Sequence, residues 1–447
     1  MFCSYLLNSA KKKQPQFSLE QYFGTISKAY SKNDYVYTSE MNFSSAITHK
    51  KELGNNEVPV RFAEMSLNLL LVFILLERLA FTFNLGFPKA FLLGIKYVAV
   101  FLMIMAAIQK LSNKNNPSLP FVKGLVFVSF LIGLLSFFQK SEPNLADNLQ
   151  AMTNWFYVGL SIFLSDRFSL RFIRSFIKIT TAYSLVSIFF GARAFTTDFR
   201  LTFLGLDTRL VGFFGHPNTT ALASALFLIL SLQLKLEKKW IAFNLILLIF
   251  TFSNTIFFSL LILILISLGI RHFSTRLVFQ TMLVIVSIQS AAPFLITQRI
   301  EDQNDLSSLS NRSGVWYWTL SQLERNDFNA IPYTFNRNFE SSNIFFVHAH
   351  NQVLMDLVKG GFSRAFLVLL FTCLLILVAF FAAKRFNQPY LPVPILIFVL
   401  NQATEVPLYL PKIDSKSLIL IIALVITLNG GWKNQSEVFK NRLNSIN

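Results

Sequence analysis

From residue 66 onward, apolar runs of roughly helix length alternate with short polar breaks. The runs fall at 66–82, 90–109, 119–138, 151–165, 172–191, 217–234, 240–252, 255–270, 277–297, 364–383, 391–410 and 416–430. A helix needs about 20 apolar residues to cross a bilayer. The pattern therefore predicts an all-α, polytopic membrane protein of about 12 transmembrane helices. Only 192–216 and 298–362 are long polar connections. The second lies between helices nine and ten. Trp316, Trp318, Phe345 and Phe346 recur in it with apolar spacing, which predicts one large, folded external loop. No internal repeat is visible, which argues against an inverted-repeat transporter. The predicted organisation is an N-terminal cytoplasmic tail, partly helical, over 1–65; helices one to nine over 66–297; the external loop over 298–362; helices ten to twelve over 363–430; and a cytoplasmic tail over 431–447. No apolar segment follows Met1, so no cleavable signal peptide is expected, and Met41 and Met65 are alternative starts.

Composition fits this reading. The 447-residue chain is 53% hydrophobic and only 14% charged, against roughly 25% charged in soluble domains. That excludes a disordered chain and argues against a soluble enzyme. The net charge of +17 suggests nucleic acid in a soluble protein, but here it follows topology. The stretch 240–270 could be one tilted helix or two broken at Ser253-Asn254. With two, and the N-terminus inside, the cytoplasmic loops hold Lys110/Lys114, Arg167/Arg171, Lys235/Lys238/Lys239, Arg271/Arg276 and Lys384/Arg385. The external loops are then near neutral, with five basic and seven acidic residues in 298–362. One helix would reverse everything after it, so twelve spans with both ends cytoplasmic are expected. No nucleic-acid partner is expected. Cys3 and Cys373 are too far apart in sequence to form a ligand motif or framework.

In the two long external segments the cations are nearly all arginine: Arg193, Arg200, Arg209, Arg299, Arg312, Arg325 and Arg337, beside Lys359. The planar guanidinium grips phosphate with two bonds. Such arginines are either solvated loop charges or an anion site. Three segments stand out. In Arg209-Leu-Val-Gly-Phe-Phe-Gly-His-Pro-Asn218, Gly212 and Gly215 allow close backbone approach and Pro217 suits the start of a helix, whose N-terminal dipole favours an anion. In Arg312-Ser-Gly-Val-Trp316, the indole either packs the loop or stacks on a sugar. In His348-Ala-His350-Asn351, an imidazole can move a proton near neutral pH. Two histidines at i and i+2 share no helix face, so no metal site is expected. The first external loop, 83–89, has no acidic residue, and no Asp-x-Asp pair or Walker A pattern occurs, so neither a metal nor a nucleotide cofactor is expected. Among apolar runs, Glu77-Arg78, Lys96 and Glu405 are the ionisable candidates, with pairing and snorkelling as alternatives.

Together, Arg209-x-x-Gly-x-Phe-Gly-x-Pro-Asn218, Arg312-Ser-Gly-x-Trp316 and His348-x-His350-Asn351, in this order on twelve predicted helices, resemble the O-antigen ligase/O-antigen polymerase family over roughly residues 66–430. These are bacterial polytopic membrane glycosyltransferases. The resemblance implies a multi-pass protein of the inner (plasma) membrane with its active site on the external, periplasmic face. It implies a glycan donor on undecaprenyl diphosphate and an acceptor sugar hydroxyl, on lipid A–core or another surface acceptor. Transfer would need neither metal nor nucleotide. Residue by residue, it implies that Arg209 and Arg312 grip the diphosphate and that His350 is the catalytic histidine. Gly212, Gly215, Pro217, Asn218, His348, Asn351 and Trp316 are the accompanying substrate-binding candidates. The chain departs from the family in two places. Ser253-Asn254 stands where relatives often have Ser-Arg, and Arg364 stands where a glycine is common; Arg364 and Arg299 are the candidates to replace the lost charge.

Overall fold

The computed structural model describes residues 44–83, 86, 88–112, 120–138, 145–189, 195–196, 209–214, 216–234, 236–251, 253, 256, 275–297, 312–329, 351–386, 392–403, 408 and 415–428. Two compact units divide the chain, Met1–Glu57 and Val58–Asn447, and the second holds most of the described residues. Among its described residues, regular structure is helical apart from one short antiparallel pairing of β1 (Phe195–Thr196) with β2 (Arg209–Leu210). Among the described residues the helices are α1 (Ser44–Phe83), α2 (Lys89–Ser112), α3 (Pro120–Phe137), α4 (Leu145–Phe163), α5 (Leu170–Ser187), α6 (Pro217–Gln233), α7 (Lys238–Thr251), α8 (Thr275–Thr297), α9 (Arg312–Arg325), α10 (Gln352–Phe386), α11 (Val393–Leu400) and α12 (Ser415–Leu428). Among the described residues, three stretches are long and apolar enough to cross a membrane: Ala90–Ser112, Phe279–Thr297 and Gln352–Ala383. Their outer faces carry bare apolar side chains such as Phe101, Ile108, Ile288 and Phe366. A row of that kind is costly in water and stable in lipid.

Eleven of the twelve predicted spans coincide with a described helix or part of one, and of the span 255–270 only Ile256 is described. Three differences matter. Helix α1 begins at Ser44, well inside the predicted tail. The loop 298–362 contains α9. The predicted span 391–410 is not continuous: α11 has 8 residues and passes into a 3-10 turn at Asn401–Ala403. The sequence beyond it holds Pro407 and Pro411, which disfavour helix at the residues before them. Two side-chain bonds lie at the break. Gln289 Nε2 donates to the Leu400 carbonyl at 3.3 Å, and Gln402 bonds Thr372 at 3.2 Å. Every residue of α11 is buried, which is where membrane proteins tolerate irregular backbone.

Side-chain contacts fix the direction of each helix. Helices α3 and α4 are antiparallel: Ser129 and Phe130 meet Gly159, and Gly133 meets Phe156. Helix α10 also runs against α3, with Arg364 on Ser136, Leu374 on Gly124 and Phe381 on Phe121. One end of the bundle gathers basic connections. Lys110 Nζ bonds the Phe163 carbonyl at 2.6 Å and Asp166 at 2.5 Å. Glu64 accepts from the Ser169 N–H, Arg174 donates to the Leu234 carbonyl, and Lys178 and Lys239 flank Glu237. The two lysines hold the Glu237 carboxyl below the usual carboxylate range. The start of α8 belongs to this same end, because Phe279 packs on Phe380 near the end of α10. Helix α7 finishes at the other end, where Ser253 meets Asn218 at the start of α6. The chain therefore changes ends between Thr251 and Thr275, which agrees with a break near Ser253 rather than one helix through 240–270.

Candidate functional site

The described site candidates lie at the end opposite the basic connections. The segment after Arg209, itself the first residue of β2, turns sharply at Gly212, whose φ of 58° lies in the left-handed region. A Cβ there would meet Thr220 Cγ2 at 2.9 Å and Ser184 Oγ at 3.3 Å. The close approach that the glycine permits is thus to the chain's own α5 and α6. The same two hydroxyls lock the turn. Thr220 Oγ1 donates to the Val211 carbonyl, and Ser184 Oγ accepts from the Phe213 N–H at 3.1 Å. Phe213 and Phe214 plug the space beneath, against Tyr183 and Phe227.

Helix α6 opens with Pro217 at its first position. His216 is the cap, a role the sequence reading did not assign: its Nδ1 accepts from the Asn218 N–H at 3.3 Å. Asn218 Oδ1 accepts from Ser253 Oγ at 3.4 Å, and Ser253 is buried. Ser253, the residue before Asn254 in the sequence, therefore touches the start of α6. Arg209, Gly212, Pro217, Asn218 and Ser253 belong to one locality.

The second and third motifs meet through packing. Arg312 is the first residue of α9. Trp316, Leu320 and Leu323 on that helix form a separate apolar cluster with Leu354, Met355, Leu357, Val358 and Ala365 of α10. Trp316 is 3% exposed, so of its two readings packing is the one adopted, and no free ring face is left for a sugar. Asn351, offered as a substrate contact, caps α10 instead. Its Oδ1 accepts from the Val353 N–H at 3.0 Å and the Leu354 N–H at 3.2 Å, while its Nδ2 donates to the Gln289 carbonyl at 3.3 Å. The residue that directly follows His350 is thereby tied to both α10 and α8.

A buried polar chain lies just below, and sequence reasoning missed it. Gln352 Oε1 accepts from the Leu408 N–H at 2.9 Å and its Nε2 donates to Asp356 Oδ2 at 2.8 Å. Arg364 Nε donates to Asp356 Oδ1 at 2.8 Å, and its Nη1 donates to Ser136 Oγ at 2.9 Å. Arg364, a candidate replacement for the missing phosphate-binding charge, is therefore spent on an internal carboxylate, and its side chain is 2% exposed. Lys359, grouped with the external cations from sequence, is also buried. His348, His350, Gly215, Asn254, Arg193, Arg200, Arg299, Arg337 and Glu405 lie outside the described residues. Among the described residues no group of three or more His, Cys, Asp or Glu side chains could hold a metal ion. No known protein family, curated protein or solved structure matches this chain.

Proposed function

We propose that this chain is a membrane glycosyltransferase of the O-antigen ligase/polymerase type. It transfers a glycan from undecaprenyl diphosphate to an acceptor sugar hydroxyl during assembly of cell-surface polysaccharide. The observation that carries the reading is the trio of motifs: the Arg209 segment opening α6, the Arg312 segment opening α9 and the His348-x-His350-Asn351 segment opening α10. Their three helix starts are support of a second kind. The α9 and α10 segments pack on one another, and the α6 start lies at the end of the bundle away from the basic connections. The positive-inside rule would make the basic end cytoplasmic, which supports a reading in which the motifs face the outside.

The chemistry suits the residues. A diphosphate leaves without a general acid, provided its developing charge is met. Arg209 and Arg312 supply fixed positive charge in a water-poor site, where such charge acts most strongly. His350 orients the acceptor hydroxyl and takes its proton as the new glycosidic bond forms. One direct displacement inverts the anomeric carbon. Gly212 and Pro217 shape the turn that presents the α6 N-terminus to the anion. The acceptor, lipid A–core in a ligase or a second lipid-linked repeat unit in a polymerase, decides the biological product.

The test is His350→Ala and Arg312→Ala, each expressed in cells lacking the native gene. Loss of surface glycan with normal protein levels is expected; full glycan assembly by both variants refutes the assignment. Accumulated lipid-linked single repeats indicate a polymerase, and accumulated long lipid-linked chains indicate a ligase. A transporter or flippase of polysaccharide intermediates is the second reading, favoured by the interrupted helices α10 and α11. It predicts that neither variant alters glycosidic bond formation in detergent-solubilised protein supplied with donor and acceptor.

A further inference from the structure

Helix α10 is not one rod. At Gly361 the backbone adopts φ 64° and ψ −162°, so a first segment, Gln352–Gly360, joins a second that continues to Phe386 through a left-handed hinge. Asp356 lies before the hinge and Arg364 after it. In an unbroken helix, residues eight apart sit about 12 Å apart along the axis and about 80° apart around it. That geometry does not favour a direct ion pair, yet here Arg364 Nε is 2.8 Å from Asp356 Oδ1. The hinge and the pair therefore define each other.

Both side chains are almost fully withdrawn from solvent, 2% exposed for Arg364 and 1% for Asp356. Burying an ion pair is not a cheap route to stability, since apolar side chains of similar volume do as well or better. What the pair adds is direction. It continues through Gln352 to the Leu408 N–H on one side and through Arg364 to Ser136 of α3 on the other. The first segment is thus held to three parts of the fold, and its leading residue, Asn351, is held to α8 by the bond to the Gln289 carbonyl.

We propose that Asp356 and Arg364 form a positioning latch across the Gly361 hinge. The latch fixes the Gln352–Gly360 segment, and through Asn351 it sets where the chain emerges at His350. The functional consequence rests on the glycosyltransferase reading; the latch itself does not. Neither residue touches substrate in this scheme. Arg364 acts on the reaction only by fixing the segment that follows His350 in the chain.

The test uses the full-length protein in nanodiscs, with Asp356→Asn, Arg364→Met and the charge swap Asp356→Arg/Arg364→Asp. Hydrogen exchange of amides 354–360 is compared with that of amides 368–383. Each single variant should speed exchange in the first set on the order of a hundredfold and leave the second set within about twofold. The swap should recover at least part of the protection. Steady-state transfer from a lipid-diphosphate glycan should show kcat down on the order of tenfold with donor KM unchanged. A merely structural pair would instead speed exchange along the whole of α10 and lower the amount of folded protein at unchanged kcat. Unchanged exchange in 354–360, or equal acceleration of both sets, overturns the latch whatever the activity. An accelerated first set with parental kcat overturns the positioning role alone. If the parent protein performs no transfer while the exchange contrast holds, the glycosyltransferase reading fails and the latch stands.

Discussion

The turn before α6 makes the sharpest stability prediction. Replacing Gly212 by alanine places a Cβ on a residue whose φ is 58°, which costs about 1–2 kcal/mol for an L side chain. The new methyl also lands 2.9 Å from Thr220 Cγ2, 3.2 Å from Thr220 Oγ1 and 3.3 Å from Ser184 Oγ. These neighbours cannot retreat freely, because both hydroxyls hold the turn's backbone and Thr220 is itself buried in α6. Overpacking of this kind costs about 1–3 kcal/mol. The sum is about 2–5 kcal/mol, measured by equilibrium unfolding in mixed detergent micelles. Gly94 is the control, since a Cβ added there meets nothing within 4 Å, and Gly94→Ala should be neutral or stabilising by up to ~1 kcal/mol. A second variant separates the two causes. Thr220→Ser keeps the hydroxyl on Val211 and removes the methyl at 2.9 Å, so in the Gly212→Ala background it should recover about 1 kcal/mol. If Gly212→Ala costs no more than Gly94→Ala, the turn is not locked as described. If the threonine change recovers nothing, the steric half of the account is wrong.

Three further outcomes follow from single contacts. Asn351→Ala should destabilise the protein by about 1–3 kcal/mol through loss of the α10 cap and of the donor to Gln289, whereas Asn351→Asp, which keeps the cap acceptor, should cost clearly less in the same unfolding assay. Gly159→Ala brings a Cβ to 2.4 Å from Ser129 Oγ and 3.2 Å from Phe130 Cε1, so it should force α3 and α4 apart at about 1–3 kcal/mol; adding Ser129→Ala should make the double variant milder than the sum, and strict additivity would contradict the contact. Because Lys239 and Lys178 lower the Glu237 pKa, its contribution is present above the ordinary carboxylate pKa and disappears as pH falls through the lowered value. Thermal midpoints of parent and Glu237→Gln should therefore converge on the acidic side of the carboxylate range, and divergence there would reverse the sign.

Hydropathy carried much of the fold, because a helix facing lipid must be apolar along its length. Of the cations expected in cytoplasmic loops, Lys110 and Lys239 make their contacts at one end of the bundle. Pro217 marked the start of α6 without help from the structure. What escaped was sequence-distant or locally ambiguous. The stretch 391–410 reads as a span because its average is apolar, and averaging hides where the backbone stops being helical. Asp356 and Arg364 are spaced badly for a helix pair, so nothing joins them until the hinge at Gly361 is known. For Trp316 the sequence favoured packing over a sugar without separating them, and its burial beside Leu354 and Met355 agrees with packing.

The short helix α11 bears on how the chain enters its membrane. Eight residues rise about 12 Å, well under half of the hydrocarbon thickness. Helix α11 packs against α6, α10 and α12, and the break after Leu400 relies on Gln289 of α8. An insertion machine that releases helices one at a time into lipid would meet a segment too short to hold itself there. The final third of the protein is thus expected to partition as a group, α11 waiting beside its neighbours until α12 has been made. A nascent chain arrested after Leu400 would expose this segment to membrane quality control, while one extended through Leu428 would conceal it.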